Sequence, residues 1–138
     1  MTIRQGLTTS FKQEILLGEH NLETDNLFIA LYTALASLDE NTTVYTTDSE
    51  ITGTGYVAGG QQLQNVTVSK QGFIAYVNFD NPVWNPASFT ARGALIYNAS
   101  VGNKAIAVLD FGSDKKATNT FTIDVPPDTA TDAVIRIT

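Results

Sequence analysis

The side chains able to do chemistry in this chain are few: one histidine, no cysteine, and a scatter of aspartates toward the C-terminal end. His20 follows a short helical pattern and stands beside Glu19. A Ser-His-Asp relay would have to use it, yet no Gly-x-Ser-x-Gly elbow accompanies it, so His20 reads as an exposed residue just past the helix. Without cysteine there are no disulfides, thiolate metal sites or cysteine nucleophile. A single histidine also removes the usual zinc ligand sets, and no metal or cofactor is expected. Asp110, Asp114, Asp124, Asp128 and Asp132 could pair for glycoside hydrolysis, which needs two carboxyls about 5 to 9 Å apart. Such pairs arise in any β-protein, and no Asp-x-Asp-x-Asp-Gly calcium loop is present. Asp128 and Asp132 lie in turn-like contexts, where Asp accepts backbone hydrogen bonds. The expectation is a protein with no catalytic residue, not an enzyme.

Two further patterns invite a ligand. Gly53-Thr-Gly55-Tyr-Val-Ala58 matches the G-x-G-x-x-A dinucleotide fingerprint, but that motif works only where a buried strand feeds a helix N-terminus. Here polar residues precede it and Gly59-Gly60 follows, so a flexible or tight loop is expected. Trp84, Tyr56, Phe89 and Arg92 are the residue types that dominate interface hot spots. Trp84 stands between Pro82 and Pro86; it could stack on a sugar ring, or pack in the core against the hairpin described below. Asn41, Asn65 and Asn98 head glycosylation tripeptides that read as accidental in a chain with no signal-peptide h-region and no expected export leader.

Composition narrows the partners. Charged residues are 16% of the chain, against about 25% in typical proteins, while threonine fills 19 positions. Such a surface is cheap to desolvate against another protein, which suits a permanently assembled subunit, although strands favour threonine in any case. The net charge of −6 repels phosphate backbones, and no basic cluster exceeds Lys115-Lys116. No apolar run approaches the roughly 20 residues that span a bilayer. Neither nucleic acid nor membrane is an expected partner.

The elements that must position these residues are strands. Residues 89–112 hold two apolar runs separated by Asn98–Lys104, the pattern of a long β-hairpin. Upstream, residues 9–18 read as one short helix, with Ser10 as cap, Gln13 completing a capping box and Gly18 as the stop. Phe11, Ile15 and Leu16 would share its docking face. The apolar run Asn26–Thr33 could continue as a helix through Ala34–Leu38, but a strand through Tyr32 is preferred, turning into a long polar loop over 39–62 that could hold short strands around Val44-Tyr45. Leu63–Ser69, a turn at Lys70–Gly72 and the alternating run Phe73–Phe79 form a second hairpin. Asp80–Pro86 breaks the pattern. A turn at Gly112–Lys116, a strand over Thr120–Val125, a bend at Pro126–Asp128 and a closing strand over Ala133–Ile137 complete the chain. The spacing predicts an all-β, antiparallel β-sandwich, jelly-roll-like or Ig-like, with one short N-terminal helix. Its 138 residues suit a single domain, with 1–18 as an N-terminal arm plus helix.

Four blocks, ALYTALASLD (30–39), TGTGYVAGGQQL (52–63), FDNPVWNPASFTARGALIYNA (79–99) and KAIAVLDFGSDK (104–115), resemble in order and spacing a family of small structural proteins of tailed bacteriophages. The likeness runs from about residue 8 to the C-terminus. It implies a virion component, assembled in the host cytoplasm, and no catalytic residue. Within a virion, the expected role is capsid decoration: a cement protein on the outer shell, binding the major capsid protein and assembling as a homo-oligomer. A tail, neck or fibre-associated protein, including a glycan-binding knob, is the alternative. Phe11, Leu16, Tyr56, Trp84, Phe89 and Arg92 are the candidate interface residues, and the N-terminal arm is expected to reach a neighbour.

Overall fold

The computed structural model describes residues 2–124 and 135–137. Its elements are β1 (Gly6–Leu7), α1 (Thr9–Leu16), β2 (Leu27–Tyr32), β3 (Gln61–Gln62), β4 (Thr67–Gln71), β5 (Ile74–Asn78), β6 (Val83–Trp84), β7 (Phe89–Asn98), β8 (Lys104–Ala117), β9 (Phe121–Thr122) and β10 (Ile135–Ile137). The fold is all-β, antiparallel and sandwich-like, with one short helix. The bend at Pro126–Asp128, Asp128 and Asp132, and the start of the closing strand, lie outside the described residues.

The hairpin read from the sequence is the centre of the larger layer, a five-stranded sheet of order β1-β8-β7-β2-β3. β8 is longer than expected, because the stretch read as a turn at Gly112–Lys116 is part of the strand. Between the pairs Ala91↔Lys115 and Gly93↔Asp110 a single β7 residue, Arg92, faces residues 111–114 of β8. Gly112, at φ +83°, lets the extra backbone fold out, and pairing resumes through Thr90↔Lys116 and Phe89↔Ala117. A second irregularity leaves Ile106 unpaired between Ile96↔Ala107 and Tyr97↔Ala105. Ile106 and Ala107 consequently fall in the same core cluster instead of on opposite faces.

Both faces of this sheet are covered. Leu27, Ile29 and Leu31 of β2, with Ala94 and Ile96 of β7, pack toward Val77, Phe79, Ile135, Trp84 and Phe121 of the second layer. That layer consists of a three-stranded sheet, β10-β5-β4, and the pair β6-β9. Ala30, Tyr32, Leu95 and Val108 face the other way, under Ile3, Ala36 and Leu38. Two-sided burial explains why β2 and the core of β7 read as nearly continuous apolar runs: alternate residues fill different cores.

The N-terminal arm is part of this construction. Thr2 and Arg4 exchange backbone hydrogen bonds with Leu38 (2.9 and 2.8 Å), and β1 pairs with β8. An arm free to reach a neighbour is therefore not what the chain builds; its described residues complete their own sheet. The helix starts at Thr9 as expected, but with a different cap. Thr8, not Ser10, accepts the Phe11 N–H (3.2 Å), because its own N–H is bonded to Ile106 O (2.9 Å) and its hydroxyl donates to Ala105 O (3.3 Å). The helix begins where the chain lifts off β8. Gly18 ends it as expected, with Glu19 N–H bonded to Glu14 O and Gly18 N–H to Ile15 O.

Other local expectations shift by a few residues. Gln61–Gln62, inside the expected loop, is an edge strand paired to β2. The second hairpin turns at Gly72-Phe73, not Lys70–Gly72, since Gln71 already pairs with Ile74. The proline-flanked break contains β6, and of the strand expected over Thr120–Val125, Phe121-Thr122 forms its partner β9 while Val125 lies outside the described residues.

The core between the two layers depends on Trp84, which is 5% exposed and meets Phe121 edge-on at 5.9 Å and Phe89 at 6.5 Å. Trp84→Ala is expected to lower unfolding free energy by about 3–5 kcal/mol, while Leu16→Ala changes it by less than about 0.5 kcal/mol; urea denaturation of the two variants checks both.

Candidate functional site

The residues singled out for an interface divide sharply by exposure. Phe11, Trp84 and Phe89 are buried in the protein's own core, Tyr56 is half-buried, and Leu16 is 87% exposed. Leu16 falls off the helix face that buries Phe11, because five residues advance it about 140° around the axis. Arg92 is half-buried and ion-paired with Asp110 across the β7–β8 irregularity. The Gly112 N–H and then the Arg92 guanidinium hold the Asp110 carboxyl below its ordinary value. With Trp84 enclosed by Tyr56, Phe89 and Phe121, the stacking platform that a glycan-binding knob would use is not on the surface.

His20 is not the exposed residue expected from sequence; it is buried, and its ring meets Phe11 edge-on at 5.0 Å. Its Nε2 lies 2.9 Å from Glu14 Oε1 and its Nδ1 3.0 Å from Asn98 Nδ2. Asn98 Oδ1 accepts the Ser100 N–H, which fixes the amide so that Nδ2 donates both to Asp25 (2.8 Å) and to the ring. His20 Nδ1 is then an acceptor and Nε2–H donates to Glu14. This arrangement ties the residues after α1 to the end of β7, with Lys104 closing it against Glu19. Both ring nitrogens are engaged in structure. The asparagine of the third glycosylation tripeptide is also accounted for, since Asn98 is fully buried.

A second carboxylate was missed in the sequence because its partners are dispersed along a loop. Glu50 accepts hydrogen bonds from Tyr45 (2.7 Å), Tyr56 (2.5 Å) and the Gly59 N–H (2.8 Å). Tyr56 in turn accepts the Leu31 N–H, and Tyr97 donates to Gly59 O (2.6 Å). These bonds fasten the long loop over 39–62 onto β2 and β7. The glycines of Gly53-Thr-Gly55-Tyr-Val-Ala58 belong to the same closure. A Cβ at Gly55 would lie 1.8 Å from Pro86 O, and one at Gly60 1.8 Å from Ile29 O, so the backbone itself packs there. No helix opens after the motif, and phosphate-binding geometry is missing from it. Val44 bridges Lys104 and Tyr45 stacks on Tyr97, in place of a separate strand.

Part of the exposed apolar surface lies around α1. An open groove of about 600 Å³ runs between Phe11, Ile15 and Leu22 on one side and Val68, Ala75, Val77, Ile135 and Ile137 on the other. A second depression of about 430 Å³ continues it past Leu7, Lys12, Leu16 and Arg136. Leu17 and Ile137 are exposed beside it, and Phe73 is fully exposed at the tip of the β4–β5 hairpin. Leu16 is the one candidate interface residue that is both exposed and on this surface. Ile137 and Phe73 escaped notice because a strand-forming run does not say which of its members fall beyond the facing layer. Among the described residues no cluster of His, Cys, Asp or Glu suits a metal ion, and no helix is long and apolar enough to cross a membrane.

No family model, curated protein sequence or solved structure matches the chain.

The tyrosines report on the loop closure. Burial, with Glu50 nearby, pushes Tyr32, Tyr45 and Tyr56 well above the ordinary 10.0, and Tyr97 up to about 12. A phenol whose pKa rises on folding stabilises the fold fully below the unfolded value and loses that contribution as pH climbs through the folded one. Stability should therefore hold up to about pH 10 and fall beyond it, with Tyr32, Tyr45, Tyr56 and Tyr97 resisting ionisation there in an ultraviolet titration. Glu50→Ala, which strands two hydroxyls and an amide, is expected to cost about 1–3 kcal/mol and to bring tyrosine ionisation to lower pH.

Proposed function

We propose that the protein is a non-enzymatic structural subunit of a tailed-bacteriophage virion, and that its role is capsid decoration through contact with the major coat lattice. The observation that carries this reading is the division of its side chains. Groups capable of chemistry are engaged in holding the fold: His20 by Glu14 and Asn98, Glu50 by two tyrosines, and Asp110 by Arg92. The large apolar side chains Leu16, Leu17, Phe73 and Ile137 stand instead in water. Exposed apolar side chains grouped beside a groove are what a protein contact would cover.

The resemblance of the four blocks to small phage structural proteins supports the virion setting. A charge-poor, acidic surface suits the outer shell, away from packaged DNA. Such a subunit works by adding contact energy at many lattice points, so that internal pressure is resisted without any one strong bond. A sheet packed on both faces suits that load, since force applied to it is carried by two cores.

Electron microscopy of virions from the genome that encodes the chain, labelled with an antibody against the recombinant protein, tests the proposal. Regular label over the shell is the expected outcome. Label confined to the tail or neck would reassign the protein there, and label-free purified virions would overturn the reading altogether.

A further inference from the structure

We infer that His20 is the proton sensor of an acid-released latch, which ties the segment following α1 to the end of β7 and lets go when the ring takes a second proton. The neutral ring accepts at Nδ1, 3.0 Å from Asn98 Nδ2, and donates at Nε2, 2.9 Å from Glu14 Oε1. Its side chain is fully buried, as is Asn98. A proton on Nδ1 sets N–H against N–H at that contact. Turning the Asn98 amide over does not relieve it. The amide oxygen would then face the Asp25 carboxylate, which lies 2.8 Å from Nδ2, and the amide nitrogen would face the Ser100 N–H, which lies 3.0 Å from Oδ1, so one repulsion is exchanged for two. Asp25 is itself held, by the Asn21 N–H at 2.9 Å.

The surrounding charges decide where the latch parts. Glu14 faces Nε2 from α1, Glu19 and Asp25 stand on the segment that follows, and Lys104 reaches Glu19 and Glu14 from β8. Glu23 and Arg136 line the groove that His20 borders, and Glu23 is bonded to the Val68 N–H. An imidazolium is therefore held by Glu14, on its own stretch of chain, and opposed by the Asn98 amide of β7 and by Lys104 of β8. The break falls between the helical segment and the sheet. Phe11 and Leu22, buried on that segment, are what the parting would uncover, next to Leu16 and Leu17, which are already exposed. Imidazole is the side chain that changes charge between about pH 5 and 8, and this chain has one. The device belongs to the isolated chain and is independent of the virion reading.

Nuclear magnetic resonance of the full-length, isotope-labelled protein, titrated from about pH 8 to about pH 5, tests the latch. At the alkaline end the ring is expected as the Nε2–H tautomer. As it gains its second proton, the amides of Asn21, Asp25 and Ser100 are expected to lose about tenfold in hydrogen-exchange protection, corrected for the direct effect of pH on exchange, while those of Ile29 and Ile96 in the large sheet keep theirs. His20→Gln is expected to abolish the loss. Asn98→Asp, whose carboxylate can accept from Nδ1–H, is expected to reverse it, so that protection rises in acid. Thermal melting identifies a variant that has not folded, and the unmodified chain then decides alone. The Nδ1–H tautomer at the alkaline end, ionisation of the ring with protection unchanged, a ring that stays neutral until the whole chain unfolds, or an equal loss in folded His20→Gln would each overturn the latch.

Discussion

Burial of the five-stranded sheet on both faces is the constraint from which the rest of the architecture follows. One face is covered by a second layer of strands, as in any sandwich. Among the described residues the opposite face is closed by the N-terminal segment and by the loop following β2. A covering made of loop brings its own difficulty, because irregular backbone laid on an apolar surface must find hydrogen-bond partners that a strand would have supplied. Isolated bridges answer part of it, Ile3 with Leu38, Tyr32 with Glu50 and Thr54 with Ser88 among them. Side chains answer the rest.

Two polar hubs carry that task, and both are built so that every buried donor meets an acceptor. Glu50 gathers two phenols and an amide; Asn98 holds His20, Asp25 and the Ser100 amide from a single carboxamide. Among the described residues no buried side-chain nitrogen or oxygen lacks a partner. In a low-dielectric setting such networks contribute when complete and are costly when broken, so they specify one arrangement of the loops as well as stabilising it. The same completeness bears on function. A histidine or carboxylate saturated with internal bonds is held still, and reactivity would require it to give up contacts that the fold uses.

The exposed apolar side chains have the opposite status. Leu16 and Leu17 lie on the outer side and end of a helix of eight residues whose inner side needs only Phe11, and partly Ile15, to dock. A helix that short is marginal by itself, and additional apolar residues on its free side do nothing for the monomer. Under the proposed structural role they would be half of a contact, and an assembly of many copies could draw useful strength from modest patches.

Much of this was legible in the chain. Period-two alternation, the paired apolar runs of β7 and β8, the Gly18 helix stop and the strand ending at Tyr32 are local matters, decided by backbone geometry and by which residues sit next to one another. The all-β class followed from them. Tertiary structure alone decided the remainder. His20 went from surface to core because Asn98, 78 residues away, offers its ring a donor. Thr8 displaced Ser10 as the cap because β8 anchors it. Gly112–Lys116 became strand because the facing chain of β7 continues past the bulge, and turn-forming composition yields to an available ladder. Leu16 and Trp84 are both large and apolar, yet one ended in water and the other at the centre of an aromatic cluster. Sequence supplies hydrophobicity and local preference, but which side of an element meets another layer depends on contacts between residues far apart in the chain, and no nearest-neighbour pattern encodes those.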